Sequence, residues 1–274
     1  MKRIFVAYAD VKMTYSLRRI GEQAKRLHFF DEIRLYTPDD LPESVKNWEL
    51  MQYGYGGGYW AWKPYVIWET LQNSENGTQV FYVDAGCTLR QGFEWEWLSE
   101  LAKGYDTVIF RYKEKMPEWE KFGSTSSKIK YWTKKEALDF LDEYVGSPMW
   151  KEQRKIWGGA LIMANKNNIL LSEWMRIIRD YPNVILDPNP KDFQEPYFAQ
   201  HKHDQSLLVA LAEKYKENVL VLPEFSESMG EKVPIFASRI RVMKRTDYIM
   251  HVMKKYARSV VGQRTYNLIK HLIK

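Results

Sequence analysis

Three stretches of this 274-residue chain gather side chains able to act on a phosphorylated substrate. The first is Asp84, which follows the strand-like run Thr78 to Val83 and precedes Ala85-Gly86-Cys87. A carboxylate at the C-terminal end of a strand stands where α/β sheets place their chemistry. The glycine beside it lets a backbone or ligand approach closely. Its hard oxygens suit Mg²⁺ or Mn²⁺, which in turn neutralise a diphosphate leaving group. The plainer reading of Asp84 is a turn or helix-capping residue.

The second stretch runs Tyr53-Gly54-Tyr55-Gly56-Gly57-Gly58-Tyr59-Trp60-Ala61-Trp62-Lys63-Pro64. Lys63, close to a predicted helix start, can meet a phosphate as a point charge beside free backbone amides. Alternatively the segment is a turn followed by core aromatics. It is not a Walker loop, because no Gly-Lys-Ser or Gly-Lys-Thr follows. The third stretch, His201-Lys202-His203-Asp204-Gln205-Ser206, puts two imidazoles, a carboxylate and an amide at a helix start. There Asp204 and Ser206 can serve as caps, His203 or Asp204 can bind metal, or Asp204 can face a reacting carbon. No Gly-x-Ser-x-Gly hydrolase elbow competes with these.

These groups need a scaffold, and the hydrophobic pattern supplies one. Strands are predicted at Ile4 to Ala9, Glu32 to Thr37, Thr78 to Val83, Thr107 to Arg111, Trp157 to Ala164 and Asn218 to Leu222. Helices are predicted at Thr14 to Leu27, Leu41 to Leu50, Tyr65 to Leu71, Lys134 to Tyr144, Ile169 to Tyr181 and Leu207 to Tyr215, with a polar, aromatic excursion over residues 112 to 132. Strands and helices alternate without an internal repeat. The expected fold is therefore one α/β domain over residues 1–238, a mixed sheet flanked by helices, followed by a helical tail over 239–274.

Composition narrows the classes. The chain is 45% hydrophobic and 28% charged, which is ordinary for a globular protein. Cys87 is the only cysteine, so no intrachain disulfide or thiolate metal cluster can form, and a reducing compartment fits best. The N-terminal apolar run is too short for a secretory h-region. No stretch approaches the roughly 20 apolar residues of a membrane span. The net charge of +6 resides in the tail, where residues 239–274 hold ten basic residues against the single acidic Asp247. On a helical wheel Ile249, Val252, Met253, Tyr256, Ala257 and Val260 share one face, with Lys254, Lys255 and Arg258 opposite. Gly262 is expected to break this helix, and Tyr266, Leu268, Ile269, Leu272 and Ile273 continue the pattern in a second one. A basic amphipathic helix docks either on the protein body or on an anionic membrane surface. No nucleic-acid partner is expected, because no helix-turn-helix, zinc-finger or RNA-recognition signature is present.

Taken in order, Ala7-Tyr8-Ala9-Asp10, Gly56-Gly57-Gly58-Tyr59-Trp60-Ala61-Trp62-Lys63-Pro64, Phe81-Tyr82-Val83-Asp84-Ala85-Gly86-Cys87 and His203-Asp204-Gln205-Ser206 resemble a group of bacterial glycosyltransferase-like proteins of the GT-A type, acting in polysaccharide biosynthesis. The resemblance covers residues 1 to about 225 and implies a Rossmann-like GT-A domain. It further implies a hexosyltransferase-like enzyme using a nucleotide-diphosphate sugar and a glycan or lipid-linked acceptor of capsule or lipopolysaccharide synthesis, at the cytoplasmic face of the membrane. Carried over, Asp84 matches the first aspartate of an Asp-x-Asp motif and Lys63 a donor contact, joined on the donor side by Tyr8, Ala9, Trp62 and Gly86. Gly158 and Gly159 match the acceptor floor, and Asp204 and Gln205 the catalytic groups at the transferred sugar. A divalent cation, Mn²⁺ or Mg²⁺, is implied on Asp84. Gly86 replaces the second aspartate, leaving two arrangements open: His203 as the missing metal ligand, or phosphates held by Lys63 and arginines. Two other activities remain in view, a non-catalytic carbohydrate-binding or scaffold protein and a nucleotidyl- or phosphosugar transferase.

Overall fold

The computed structural model describes residues 1–223 and 233–261. Its elements run β1 (Arg3–Tyr8), α1 (Thr14–Leu27), β2 (Glu32–Tyr36), α2 (Glu43–Lys46), the short turn α3 (Gly56–Tyr59), α4 (Trp62–Gln72), β3 (Gln79–Val83), β4 (Thr88–Leu89) and α5 (Glu94–Leu101). They continue through β5 (Thr107–Arg111), α6 (Lys135–Val145), β6 (Ile156–Ala164), α7 (Ile169–Asp180), α8 (Asp204–Lys214), β7 (Val219–Pro223), β8 (Ile235–Phe236) and α9 (Arg245–Val261).

The expected α/β class is what forms: a six-stranded mixed sheet, order β2-β1-β3-β6-β5-β7, flanked by helices, with a small β4-β8 pair beside it. β1 pairs parallel with β2 on one side and β3 on the other. The chain therefore leaves β1 toward one neighbour and later returns to the opposite one. That reversal opens a crevice beyond the carboxyl ends of the strands. β6 is antiparallel to both β3 and β5. Between the Val108–Ile162 and Phe110–Trp157 pairs the register slips, and the bulged part of β6 contains Gly158 and Gly159. Bulges of this kind re-aim a strand beside a site.

Burial explains the sequence pattern. β3 and β6 lie in the middle of the sheet, so both faces are covered, and their runs Gln79–Val83 and Ile156–Met163 are buried throughout. In α1 the helical spacing of Leu17, Ile20, Ala24 and Leu27 puts all four on the buried face. Each large apolar side chain buried this way contributes about 1.5–3 kcal/mol.

The structure corrects several expectations. The helix expected over Leu41 to Leu50 is only α2 followed by a 3₁₀ turn at Glu49–Gln52, since Pro42 at the start and Trp48 in extended conformation interrupt it. α5 was absent from the sequence pattern because its tryptophans alternate with glutamates. The stretch 112–132 packs inward: Trp119, Ile129 and Trp132 are buried, in 3₁₀ turns at Pro117–Phe122 and Ile129–Trp132. Next to the body, Ser238 Oγ donates to Gly86 O and Ser16 Oγ to Ile240 O. The tail helix itself starts at Arg245. Tyr266, Leu268, Ile269, Leu272 and Ile273, expected to form a second helix after Gly262, lie outside the described residues.

Candidate active site

The turn after β3 is held from three sides. From β6, Gly159 O accepts the Asp84 amide at 2.9 Å. From α1, the buried Arg19 guanidinium donates to Ala85 O at 3.2 Å and to Cys87 O, and burial draws its pKa below the usual value. Across the turn, Gly86 O accepts from Ile240 N at 2.9 Å and from Ser238 Oγ at 3.0 Å. Asp84 therefore projects from a rigid turn into the crevice. Tyr82, two residues earlier and on the same face of the strand, donates to Asp84 Oδ1 at 2.6 Å. Burial, followed by the neighbouring Asp84, pushes the Tyr82 phenol well above its ordinary pKa, so it remains a donor.

Lys63 comes from the first turn of α4. The approach to that helix is a left-handed run, with positive φ at Gly56, Gly57, Gly58, Tyr59 and Trp60. Glycine is required at Gly58, where a Cβ would stand 2.8 Å from the Met51 Cα. Tyr59 and Trp60 adopt the same strained region, and the Tyr59 hydroxyl donates to Asp187 Oδ2 at 2.9 Å. The run delivers Lys63 to the interior, 2% exposed, with its ammonium donating to Gly158 O at 2.9 Å. The same Nζ stands 3.4 Å from Asp84 Oδ1 and 3.5 Å from Asp204 Oδ2. Burial opposes the charge, but the two carboxylates outweigh it and hold the lysine above its usual pKa. Asp204, the first residue of α8, is also buried, and that burial pushes its carboxyl upward against the pull of Lys63.

Most sequence-predicted residues converge here. A cavity of about 650 Å³ is lined by Tyr8, Ala9, Trp62, Lys63, Asp84 and Gly86, and also by Gly158, Gly159, His203, Asp204 and Gln205. Tyr8 and Trp62 stack on each other with centroids 3.8 Å apart and are nearly buried. They form the wall of the cavity, with one ring face each already occupied. A second depression of about 610 Å³, lined by Gln79, Asp106, Asn165 and Asn218 among others, lies at the opposite ends of the strands. The crevice at the carboxyl ends is the one where α/β chemistry takes place.

A divalent cation fits this constellation poorly. Asp84 Oδ1 is engaged by Tyr82 and Lys63, Asp204 by Lys63, and position 86 offers no side-chain oxygen. His203 aims Nδ1 at Ile185 O at 2.8 Å and turns Nε2 toward Asp187 at 3.8 Å. Its ring is enclosed by Tyr55, Tyr59 and Trp60, and burial lowers its pKa. Among the described residues no group of three or more His, Cys, Asp or Glu side chains is arranged to hold a metal ion.

Other lining residues escaped sequence reasoning. Lys155 is buried with its ammonium 3.7 Å from the Trp119 ring centroid and near Tyr112 and Trp132. Lys202 lies over Phe122 and Trp132. Lys12, Arg239 and Arg241 also line the cavity. The alternation Tyr82-Val83-Asp84 was a readable signal for the phenol. Nothing local marks the arginines, which sit in the same run of positive charge as the tail.

No protein-family model matches the chain, and no curated protein sequence matches it. Among solved structures it is similar to a glycosyltransferase involved in the glycosylation of the major capsid of PBCV-1, at 10% identity, 82% of this chain, 84% of that chain and TM-score 0.43. It is similar also to mouse xyloside xylosyltransferase 1, at 12% identity, 81% of this chain, 85% of that chain and TM-score 0.41. A third is the galactosyltransferase LgtC in complex with donor and acceptor sugar analogs, at 13% identity, 80% of this chain, 72% of that chain and TM-score 0.38.

Proposed function

We propose that this protein is a glycosyltransferase that moves a sugar from a nucleotide-diphosphate donor to a glycan or lipid-linked acceptor in surface polysaccharide synthesis. The observation that carries the reading is the Asp84–Lys63–Asp204 cluster at the switch-point crevice. Two carboxylates share one ammonium there, which leaves negative charge facing the cavity. In the transfer, the bond from the anomeric carbon to the β-phosphate oxygen breaks, and its electron pair leaves with the nucleoside diphosphate. The acceptor oxygen makes the new bond and gives up its proton to a carboxylate or to the departing phosphate. As that bond breaks the anomeric carbon becomes cationic, and a fixed carboxylate or amide oxygen beside it lowers the barrier. Asp204 and Gln205 take this role, and Asp84 orients the donor.

On the aromatic side of the cavity Phe122, 44% exposed and backed by the buried Trp119, Trp132 and Trp157, suits the face of an acceptor sugar. The tail fits a membrane-bound acceptor. In α9 Ile249, Val252, Met253 and Tyr256 are each 45–70% exposed, with Lys254 and Lys255 on the opposite side of the wheel. We assign this face to the anionic surface of the cytoplasmic membrane, on which the enzyme lies peripherally. No helix among the described residues is long and apolar enough to cross a bilayer.

The test is a thermal-shift screen with nucleoside diphosphates and nucleotide sugars, followed by product analysis with the donor that binds. Release of a nucleoside diphosphate supports transfer of the sugar. Release of pyrophosphate or a nucleoside monophosphate replaces this reading with nucleotidyl or phosphosugar transfer. Glycan binding without any nucleotide binding replaces it with a carbohydrate-binding protein.

A further inference from the structure

Besides Lys12, Lys155 and Lys202, the cations of the crevice form two sets around the Asp84 turn. Lys63 is fully used: an ammonium has three N–H donors, and this one faces Gly158 O, Asp84 and Asp204. It has none left for a phosphate unless it releases one of them. The second set sits at the cavity rim and comes from the segment that crosses the Asp84–Cys87 turn. Where the Asp-x-Asp pattern has a second acid, this chain has Gly86, and a Cβ there would meet Ile240 O at 3.6 Å and the Arg239 Cα at 3.8 Å. The backbone of residues 238–240 thus occupies the side of the turn on which a second acidic ligand would project. That backbone carries Arg239, in left-handed conformation at φ 54°, and Arg241 into the cavity lining. Arg239 lies close enough to Lys202 for its charge to lower that lysine's pKa, after burial.

We infer that Arg239 and Arg241 take the place of a divalent cation, neutralising the diphosphate of the donor, and that donor binding is metal-independent. This inference rests on the nucleotide-sugar reading above. Two guanidinium groups carry the same +2 charge as Mg²⁺ or Mn²⁺. A guanidinium pairs with phosphate oxygens through two parallel N–H bonds. The disagreement with a metal site is chemical: the turn offers one acid where two are needed, and the chain crossing it supplies cations where ligands would have to be anionic or neutral donors.

The experiment is isothermal titration of the full-length protein with UDP, GDP, ADP, CDP and inorganic pyrophosphate, each in EDTA and again in excess Mn²⁺. The expected result is at least one ligand that binds in EDTA with the same affinity, to about twofold, as in Mn²⁺. Replacing both arginines, Arg239→Gln with Arg241→Gln, is expected to weaken that binding by roughly 10- to 100-fold. Both side chains belong to exposed residues, so the melting temperature without ligand is expected to stay put, which separates loss of binding from loss of fold. Substitution by lysine is expected to recover only part of the affinity. Binding that requires Mn²⁺ and vanishes in Asp84→Asn overturns the inference while leaving the transferase reading standing, as does full affinity in the double glutamine variant. If no nucleoside diphosphate or pyrophosphate binds in either condition, the nucleotide-sugar reading fails and takes the inference with it.

Discussion

Lys63 Nζ stands 3.5 Å from Asp204 Oδ2, across 141 residues of sequence, with both side chains almost wholly buried. Removing one member of such a pair leaves an uncompensated buried charge, which costs about 3–5 kcal/mol. Lys63→Met is therefore expected to lower the urea midpoint sharply, and adding Asp204→Asn is expected to restore part of the loss. Equal stabilities for wild type and Lys63→Met would show that the ammonium does not hold the two carboxylates together.

Asp204→Asn alone keeps an oxygen for Lys63 and the shape of the residue, and it removes the negative charge facing the sugar. Turnover of the nucleotide sugar is expected to fall by roughly 10²- to 10³-fold, with a smaller loss of stability than in Lys63→Met because Asp84 still pairs the ammonium. Unchanged turnover would place the carboxylate outside the chemistry.

Phe122 is 44% exposed and lines the aromatic side of the cavity. An aromatic contact of this type is worth about 0.5–1.5 kcal/mol. Phe122→Ala is expected to raise KM for the acceptor about 2- to 12-fold, to leave KM for the donor unchanged, and to shift stability by no more than about 0.5 kcal/mol. A rise in donor KM instead would move the donor to this side.

His201 and His203 are both buried, and burial lowers both pKa values. His201 accepts the Lys134 amide on Nδ1, at 3.3 Å, and bonds Val184 O through Nε2, an arrangement that needs the neutral ring. A depressed folded-state pKa means that the stability contribution is complete above the unfolded value near ~6.5 and is lost as pH falls from there toward the folded value. Unfolding free energy is expected to drop by up to about 1.4 kcal/mol per pH unit for each histidine below about pH 6.5. His201→Gln is expected to flatten that slope by one proton. An identical slope in wild type and variant would assign the acid sensitivity to other groups.

The tail assignment is tested by sedimentation with phosphatidylglycerol vesicles at low salt. Each lysine near an anionic surface contributes about 1 kcal/mol, so Lys254→Gln with Lys255→Gln is expected to reduce partitioning by roughly tenfold or more. Val252→Glu with Met253→Glu is expected to abolish it. Sedimentation that survives both pairs of changes would remove the membrane from the account of α9.

By itself, the sequence determined the layered α/β class and placed Asp84 and Asp204 at the ends of elements. Both follow from short-range periodicity: β-branched and aromatic runs such as Ile4 to Ala9 can only be strands inside a sheet, and the apolar spacing of Leu17, Ile20, Ala24 and Leu27 only a helix face. The gathering of Tyr8, Lys63, Asp84 and Asp204 was expected from motif resemblance, not from periodicity. What tertiary structure decided were relations between distant residues. β6 enters the sheet antiparallel, between β3 and β5, a pairing that no local pattern encodes. Its Gly158 carbonyl then meets an ammonium 95 residues earlier. Lys63 reads as a phosphate-binding lysine in one dimension, yet it is consumed by two carboxylates because α4 and α8 converge on the same strand ends. Arg239 and Arg241 look like part of a basic tail, but hydrogen bonds to Gly86 and Ser16 draw their backbone across the crevice before the tail helix begins. Propensity acts over a few residues, whereas charge pairing acts through space, and only the folded chain brings these charges within range of one another.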